Sequence, residues 1–327
     1  MTEKARLASI GLGWWGNTLA EAVNRSDTAQ IVSCFARTES TRKVFSEKHG
    51  CRQAKSLEEI LKDNEVQGII AATPHSHHSE IISKAASAGK HIFIEKPFTL
   101  TVAEAKKAIE DAKRANVVLQ IGHQRRRLGA NRRIREMIDR GELGILHQFE
   151  ANISAPMVPK PGWRSLIAEN PVGALTPLGV HMIDTLHYFA GPIKRLFCLS
   201  KRIKGHSDLD DTSVVAVEFK SGPIGYIGFS SVLPQICTIA AYGTEAAVWS
   251  EENGAKLYLQ KASEQRRSDI PVQAVDSLAD EMAEFARCIQ GLAKPETGGA
   301  EGLAVVAAME AIIKSSKTGK PVDISGL

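Results

Sequence analysis

Gly11-Leu12-Gly13-Trp14-Trp15-Gly16 follows directly on an apolar run at residues 7–10 and leads into a helix-compatible stretch over residues 17–23. Glycines in this spacing, set between a strand and a helix, have a physical reason. The first permits a tight turn, the second lets the backbone approach a diphosphate, and the third lets the helix pack close to the strand. Free amides at the helix start then favour the anion. Glycine clusters also occur in ordinary turns, so the signal rests on its setting between strand and helix. About 20 residues further on, a site for NAD offers Asp or Glu to the ribose 2′-hydroxyl. Here that place reads Ala36-Arg37-Thr38, with Arg42 a turn later. A guanidinium and a hydroxyl in place of a carboxylate suit a 2′-phosphate, so the expected cofactor is NADP rather than NAD. The competing reading makes Arg37 and Arg42 solvated surface charges.

Outward from this turn, short β-rich runs at residues 7–10, 31–36, 66–72, 91–94 and 117–121 alternate with helical patterns. Such alternation predicts a doubly wound parallel sheet. Ser56-Leu-Glu-Glu59 and Thr101-Val-Ala-Glu104 read as capping boxes, placing helix starts near residues 57 and 102. Past an arginine-rich stretch the pattern changes to strands at 144–155, 193–203, 212–220 and 224–240, a helix at 178–190, and closing helices near 276–290 and 300–317. The expectation is an α/β fold in two domains: a Rossmann domain over residues 1–123 and an α+β domain over 124–327.

The composition excludes other classes. With 327 residues, 43% hydrophobic and 24% charged, the chain should form about two folded domains. A net charge of +4 selects no polymer partner. Five cysteines (Cys34, Cys51, Cys198, Cys237, Cys288) without a Cys-x-x-Cys pair point to a reducing cytoplasm. No run of about 20 apolar residues marks a membrane segment, and nothing at the N-terminus marks export.

Two further motifs complete a pattern: Ala72-Thr73-Pro74-His75-Ser76-His77-His78, and Glu95-Lys96-Pro97 after the next strand. Together with the glycines, with Gly122-His-Gln-Arg-Arg126, Gly162-Trp-Arg164, the element from Gly173 to Asp184 and the closing Ser315-Ser-Lys-Thr-Gly-Lys-Pro-Val322, the chain resembles the Gfo/Idh/MocA oxidoreductases over nearly its whole length. The resemblance implies a second domain with an open, mostly antiparallel sheet, helices on one face, and a free face that forms homodimers or homotetramers. It places Thr73, Pro74 and His78 along the cofactor edge. Lys96 inherits a place at the nicotinamide end, positioning the reacting hydroxyl, and His181 inherits the role of proton acceptor. The implied reaction moves a hydride between nicotinamide and a secondary alcohol or carbonyl of a small polyol, sugar, inositol or hydroxy acid. Such chemistry needs a base that titrates near working pH and a cation beside the nascent alkoxide. Pro97 fixes the backbone after its strand, and the sequence leaves its isomer open.

One departure stands out. Many relatives carry Asp four residues before the histidine, where this chain has Pro177. Asp184, one helical turn after His181, is the expected substitute, with Thr176 a second polar candidate. Two other functions stay open: a glycosidase-like cycle with transient oxidation, which the resemblance implies for some relatives, and, on account of Pro177, a non-catalytic dinucleotide-sensing subunit. The three histidines of 75–78 lack the carboxylate or cysteine partners of a metal site, so no metal is expected. His187, six residues after His181, is expected to pack or lie at an interface rather than ligate. Six arginines between Arg125 and Arg135 lack the aromatics of a nucleic-acid surface. Of that region His123, Gln124, Arg125 and Arg126 leave the last Rossmann strand on the ligand side, and Arg125 or Arg126 either meets an anionic substrate or the cofactor or forms hinge salt bridges. Trp163 and Arg164, on a Pro/Gly-rich segment at 156–162, either close over substrate or cover the sheet. Met157 and Tyr242 are weaker lining candidates.

Overall fold

The computed structural model describes residues 3–157, 162–205 and 207–324. It divides into two compact units. The first holds Met1–Gln124 and Asp276–Leu303, the second Arg125–Val275 and Ala304–Leu327.

In the first unit six strands, β1 (Ala5–Ile10), β2 (Ala29–Phe35), β3 (Arg52–Gln53), β4 (Gly68–Ala71), β5 (His91–Glu95) and β6 (Leu119–Gly122), form one sheet in the order β3-β2-β1-β4-β5-β6. Each neighbouring pair is parallel. The order reverses at β1 and β4, the switch point where open α/β sheets take their ligands. Strands β4, β5 and β6 are short and nearly all buried, as a sheet covered on both faces requires. Helices α1 (Trp14–Ser26), α2 (Glu39–His49), α3 (Leu57–Lys62), α4 (His78–Ser87) and α5 (Val102–Arg114) connect them. The expected helix starts hold. Thr101 and Glu104 form a full capping box, and Ser56 accepts the Glu59 N–H at 3.1 Å. The two-residue β3 has no apolar pattern of its own and was not expected.

The second unit contains β7 (Leu146–Ser154), β8 (Ile193–Lys201), β9 (Thr212–Phe219), β10 (Ile224–Ser230), β11 (Ile236–Gly243), β12 (Ala246–Glu251), β13 (Lys256–Lys261), β14 (Ser268–Ile270) and β15 (Val322–Asp323). They form one sheet in the order β14-β13-β12-β11-β7-β10-β9-β8-β15, antiparallel except for the β7–β10 pair. Along β9 every second residue is buried, from Ser213 through Val215 and Val217 to Phe219. The buried face packs on α6 (Gly129–Asp139), α7 (Gly179–Ala190) and the later turns of α9 (Gly299–Thr318), with Ile134, Leu186 and Ile312 in one cluster with Phe149 and Phe219.

Two expectations are corrected. The stretch 224–240 is two strands, because Leu233-Pro234 lies in a break between β10 and β11, where a ladder position would lack its N–H. Nor does the second domain run without interruption from 124 to 327, since α8 (Ser277–Ile289) and the segment to Leu303 return to the first unit. There Met282, Phe285 and Ala286 join Leu19, Val23 and Phe93 in the core. Thr297 pairs with Ile121 on the edge strand β6, its carbonyl accepting the Ile121 N–H at 2.8 Å and its side-chain hydroxyl donating to the Ile121 carbonyl at 2.7 Å.

Candidate active site

The glycine turn has the geometry its spacing predicts. Gly11 adopts φ 85°, and a Cβ there would stand 2.5 Å from the Ala72 carbonyl oxygen. At Gly16 a Cβ would run into the Gly11 carbonyl, so α1 can lie this close to β1 only without a side chain. At Gly13 a Cβ would meet nothing within 4 Å, which leaves open space beside the backbone of the middle glycine. Gly13 is also the N-cap of α1, where no side chain caps the free amides and no carboxylate occupies the first turn. Asn17 secures the turn by donating to the Leu12 and Gly13 carbonyls at 3.2 and 3.1 Å. Trp14 is largely exposed beside it, whereas Trp15 packs against the core.

Across the switch point, Thr73 touches the space above Gly11, and its buried hydroxyl finds no partner among the described residues. Open backbone at Gly13, uncapped amides and an orphaned hydroxyl at the carboxyl ends of β1 and β4 fit a dinucleotide diphosphate. Near the end of β2, Ala36 is half-buried and Arg37 and Thr38 are exposed. Arg42 donates to the Ala36 and Arg37 carbonyls at 2.8 and 3.2 Å, so it organises this loop from behind.

The turn after β5 is braced from α4. His78 is fully buried, with Nδ1 at 2.9 Å from the Pro97 carbonyl and Nε2 at 3.2 Å from the Thr73 carbonyl. It ties the segment with Thr73 and Pro74 to the Glu95-Lys96-Pro97 turn, in which the Lys96–Pro97 bond is cis. Lys96 is half-buried. Glu95 is buried, its carboxylate accepting the Lys96 N–H at 3.1 Å and lying 2.9 Å from where a Gly122 Cβ would be. Burial pushes its pKa up to about 7, against the pull of Lys96 and the Trp15 indole. On folding, the carboxyl therefore holds its proton where the unfolded chain, near 4.5, has lost it. The sign follows: Glu95 favours folding below about pH 4.5, and that contribution is lost as pH rises through about 7. Glu95→Gln should remove this loss, so the Tm difference between variant and parent should grow in the variant's favour from pH 5 to pH 8. A pH-independent difference would refute it.

In the second unit, α7 carries His181 in its first turn, buried to 8% exposure. Gly179 makes this possible, since a Cβ there would stand 2.9 Å from the Phe229 ring on β10. Asp184, one turn on, receives Arg126 in a fork, Nε to both oxygens at 3.0 Å and Nη2 to one at 2.7 Å. Both side chains are under a tenth exposed, so this carboxylate is first of all the counter-ion of a buried guanidinium. Arg126, Arg132 and Arg135 surround the Tyr188 ring at 5.4 to 5.8 Å, which accounts for three residues of the arginine run as packing. The His187 Nε2 accepts the Ile193 N–H at 3.3 Å, a packing role.

Arg125 donates to Asn253 Oδ1 at 2.8 Å and to Cys237 Sγ at 3.2 Å. Thr176 is fully buried and donates to Asn170, which in turn donates to the Arg164 carbonyl at 2.8 Å; Thr176 thus braces the Trp163–Arg164 turn. The Arg164 guanidinium stacks 4.2 Å from the Trp163 ring centroid. Residues 158–161 of the segment expected to close over substrate lie outside the described residues. Met157 is exposed at its near end, and Tyr242 donates to Glu150 at 2.9 Å on the sheet. The Gln124 Oε1 is buried and unpartnered among the described residues. Asn170 and Asn253 were missed. The Glu-Asn-Gly turn at 252–254, between two alternating runs, was the available signal for the latter.

Lys96 thus belongs to the first unit and His181, Asp184, Arg125, Trp163, Arg164 and Thr176 to the second. Among the described residues, no group of three or more His, Cys, Asp or Glu stands where it could hold a metal ion, and no helix is long and apolar enough to cross a membrane.

Comparison with known proteins agrees with this geometry. Residues 5–123 match the model of an oxidoreductase family with an NAD-binding Rossmann fold (GFO_IDH_MocA), and residues 131–249 match the GFO/IDH/MocA C-terminal domain. A 1,5-anhydro-D-fructose reductase from Ensifer adhaerens is 25% identical over 313 residues, covering 92% of each chain. A myo-inositol 2-dehydrogenase from Thermotoga maritima is 27% identical over 255 residues, 75% of each chain. Among solved structures, a protein from Desulfitobacterium hafniense described as an NADPH-dependent oxidoreductase superposes with a TM-score of 0.95 at 30% identity, covering 99% of both chains. The chain belongs to the Gfo/Idh/MocA family and is an NAD(P)-dependent oxidoreductase.

Proposed function

We propose that the enzyme transfers a hydride between NADP(H) and a secondary alcohol or carbonyl of a small sugar, polyol, inositol or hydroxy acid. The observation that carries this reading is the phosphate cradle: two glycines that cannot accept a Cβ flanking one that faces open space. The relatives named as an anhydrofructose reductase and an inositol dehydrogenase support the substrate class. When bound, the nicotinamide supplies the hydride acceptor or donor, and the chain supplies the rest. Amides around Gly11, Gly13 and Gly16 bind the diphosphate, with the hydroxyl of Thr73 and the side chains of Trp14 and Trp15 beside them. Ala72 and Pro74 shape the same edge, Gln124 offers its buried amide oxygen, and His78 and Glu95 hold the turn that presents Lys96 and Pro97. Lys96 positions and polarises the reacting oxygen. His181 accepts the hydroxyl proton during oxidation and returns it during reduction. Asp184 fixes Arg126 and, through it, the helix on which His181 rides. Thr176 acts as the brace of the segment bearing Trp163 and Arg164, which exclude water. A panel of sugars, inositols and hydroxy acids tests this: reduced-nicotinamide absorbance should rise with at least one of them, and product formed without net reduction would favour the glycosidase-like cycle.

For the choice of NADP, the support is the exposed pair Arg37 and Thr38 with no carboxylate at the end of β2. Arg37→Ala should weaken NADP+ about tenfold or more and leave NAD+ unchanged, since a charge-assisted bond contributes roughly 1.5–3 kcal/mol. Equal weakening of both in titration calorimetry would overturn the assignment. The homodimer or homotetramer is assigned to the uncovered face of the second sheet, where the paired Leu199 and Val214 and nearby Ile224 are exposed. Sedimentation should give a dimer or larger that Val214→Glu dissociates; a monomeric parent would refute it.

A further inference from the structure

Arg125 differs from its neighbours in one respect. Arg126 is neutralised by Asp184, and Arg133 and Arg135 by Glu136 and Asp139. Arg125 is half-buried, its Nε is shielded from solvent without a partner, and no carboxylate lies within ion-pair distance among the described residues. Its two bonds go to neutral-type acceptors, an amide oxygen and a cysteine sulfur. The guanidinium charge thus stands partly desolvated, with no compensating carboxylate among the described residues.

The backbone that holds it is unusual too. Glu252, Asn253 and Gly254 have φ of 50, 59 and 86°, three consecutive left-handed residues that present the Asn253 oxygen to Arg125. Left-handed residues are what a tight hairpin turn between β12 and β13 uses, and the turn fixes the Asn253 oxygen in place. The placement is also specific. Arg125 follows the carboxyl end of β6 by three residues, and the adjacent Arg126 fastens this segment to Asp184 on α7, one turn from His181.

We propose that Arg125 reads a carboxylate on the substrate, so that the preferred substrates within the proposed class are polyhydroxy acids, aldonates or uronates, rather than neutral sugars and polyols. This rests on the hydride-transfer reading above. Asn253 and Cys237 each hold one terminal nitrogen of the guanidinium, whose remaining N–H groups are left to meet the carboxylate, and the substrate hydroxyls are left to the rest of the site.

The test pairs each of several aldonates and uronates with the corresponding neutral alditol or aldose, measuring kcat/KM with NADP+ and, by calorimetry, binding to the cofactor-loaded protein. The acids should exceed their neutral counterparts by about tenfold or more. Arg125→Gln should abolish that preference, and Arg125→Lys should keep part of it, since an ammonium retains charge but not the fork. Asn253→Asp leaves Arg125 in place and gives it an internal counter-ion, so it should also abolish the preference without removing a side-chain contact. Acids and neutral compounds used equally by the parent, or a preference unchanged in Arg125→Gln and Asn253→Asp, overturns the inference. If no compound is oxidised while carboxylates still bind and Arg125→Gln abolishes that binding, the hydride-transfer reading falls and the role of Arg125 stands.

Discussion

His181→Ala is expected to lower kcat by about two to four orders of magnitude while leaving cofactor affinity unchanged, because the loss is that of a positioned general base. The imidazole sits in the first turn of a helix whose preceding residues are packed against Phe229, so alanine leaves the helix in place. A reaction run in the oxidising direction should recover part of its rate at higher pH, where hydroxide replaces the missing base. Lys96→Met should show the same separation: calorimetric NADP+ binding preserved, hydride transfer lost. Near-normal turnover in either variant with a proven substrate would remove that residue from the mechanism. A parallel fall in cofactor binding would instead show that it serves the dinucleotide.

Gly16→Ala should abolish cofactor binding and destabilise the first unit. Its Cβ would occupy the position of the Gly11 carbonyl, a backbone atom that cannot rotate away as a side-chain tip can. Either α1 lifts from β1, taking the amides at Gly13 away from the phosphates, or the turn at Gly11 rearranges. Gly11 is itself confined by φ 85° and by the Ala72 carbonyl, so the second route is closed. Gly13→Ala is the informative control. Its Cβ meets no protein atom, so the fold should keep its Tm while dinucleotide affinity drops. If Gly13→Ala bound cofactor normally, the diphosphate would not approach the backbone at Gly13.

Local signals were legible in the sequence and long-range ones were not. The glycine turn, the capping box at Thr101 and the helix over His181 depend on residues within one or two turns of each other, and the structure has them where the residues indicate. The return of α8 to the first unit depends on Phe285 meeting Phe93, 192 positions away in the chain at 5.9 Å between rings, and no periodicity within 276–290 names its partner. The same limit hid the pairing of Asp184 with Arg126. Spacing on one helix pointed from Asp184 toward His181, and nothing in that spacing named the guanidinium, 58 positions earlier, that the structure shows bonded to both carboxylate oxygens. Strands β12 to β14 are a different case, for the Asn253-Gly254 turn between alternating runs is itself a local hairpin signal.

The late return of residues 276–303 bears on how the chain is made. A ribosome releasing the first 124 residues exposes a sheet whose apolar flank awaits Met282 and Phe285 and whose last strand lacks Thr297. Nucleotide binding is therefore expected to wait for residues 276–303. An excised fragment ending at Gln124 should aggregate rather than bind dinucleotide, whereas one that splices Asp276–Leu303 back through a short linker should recover it.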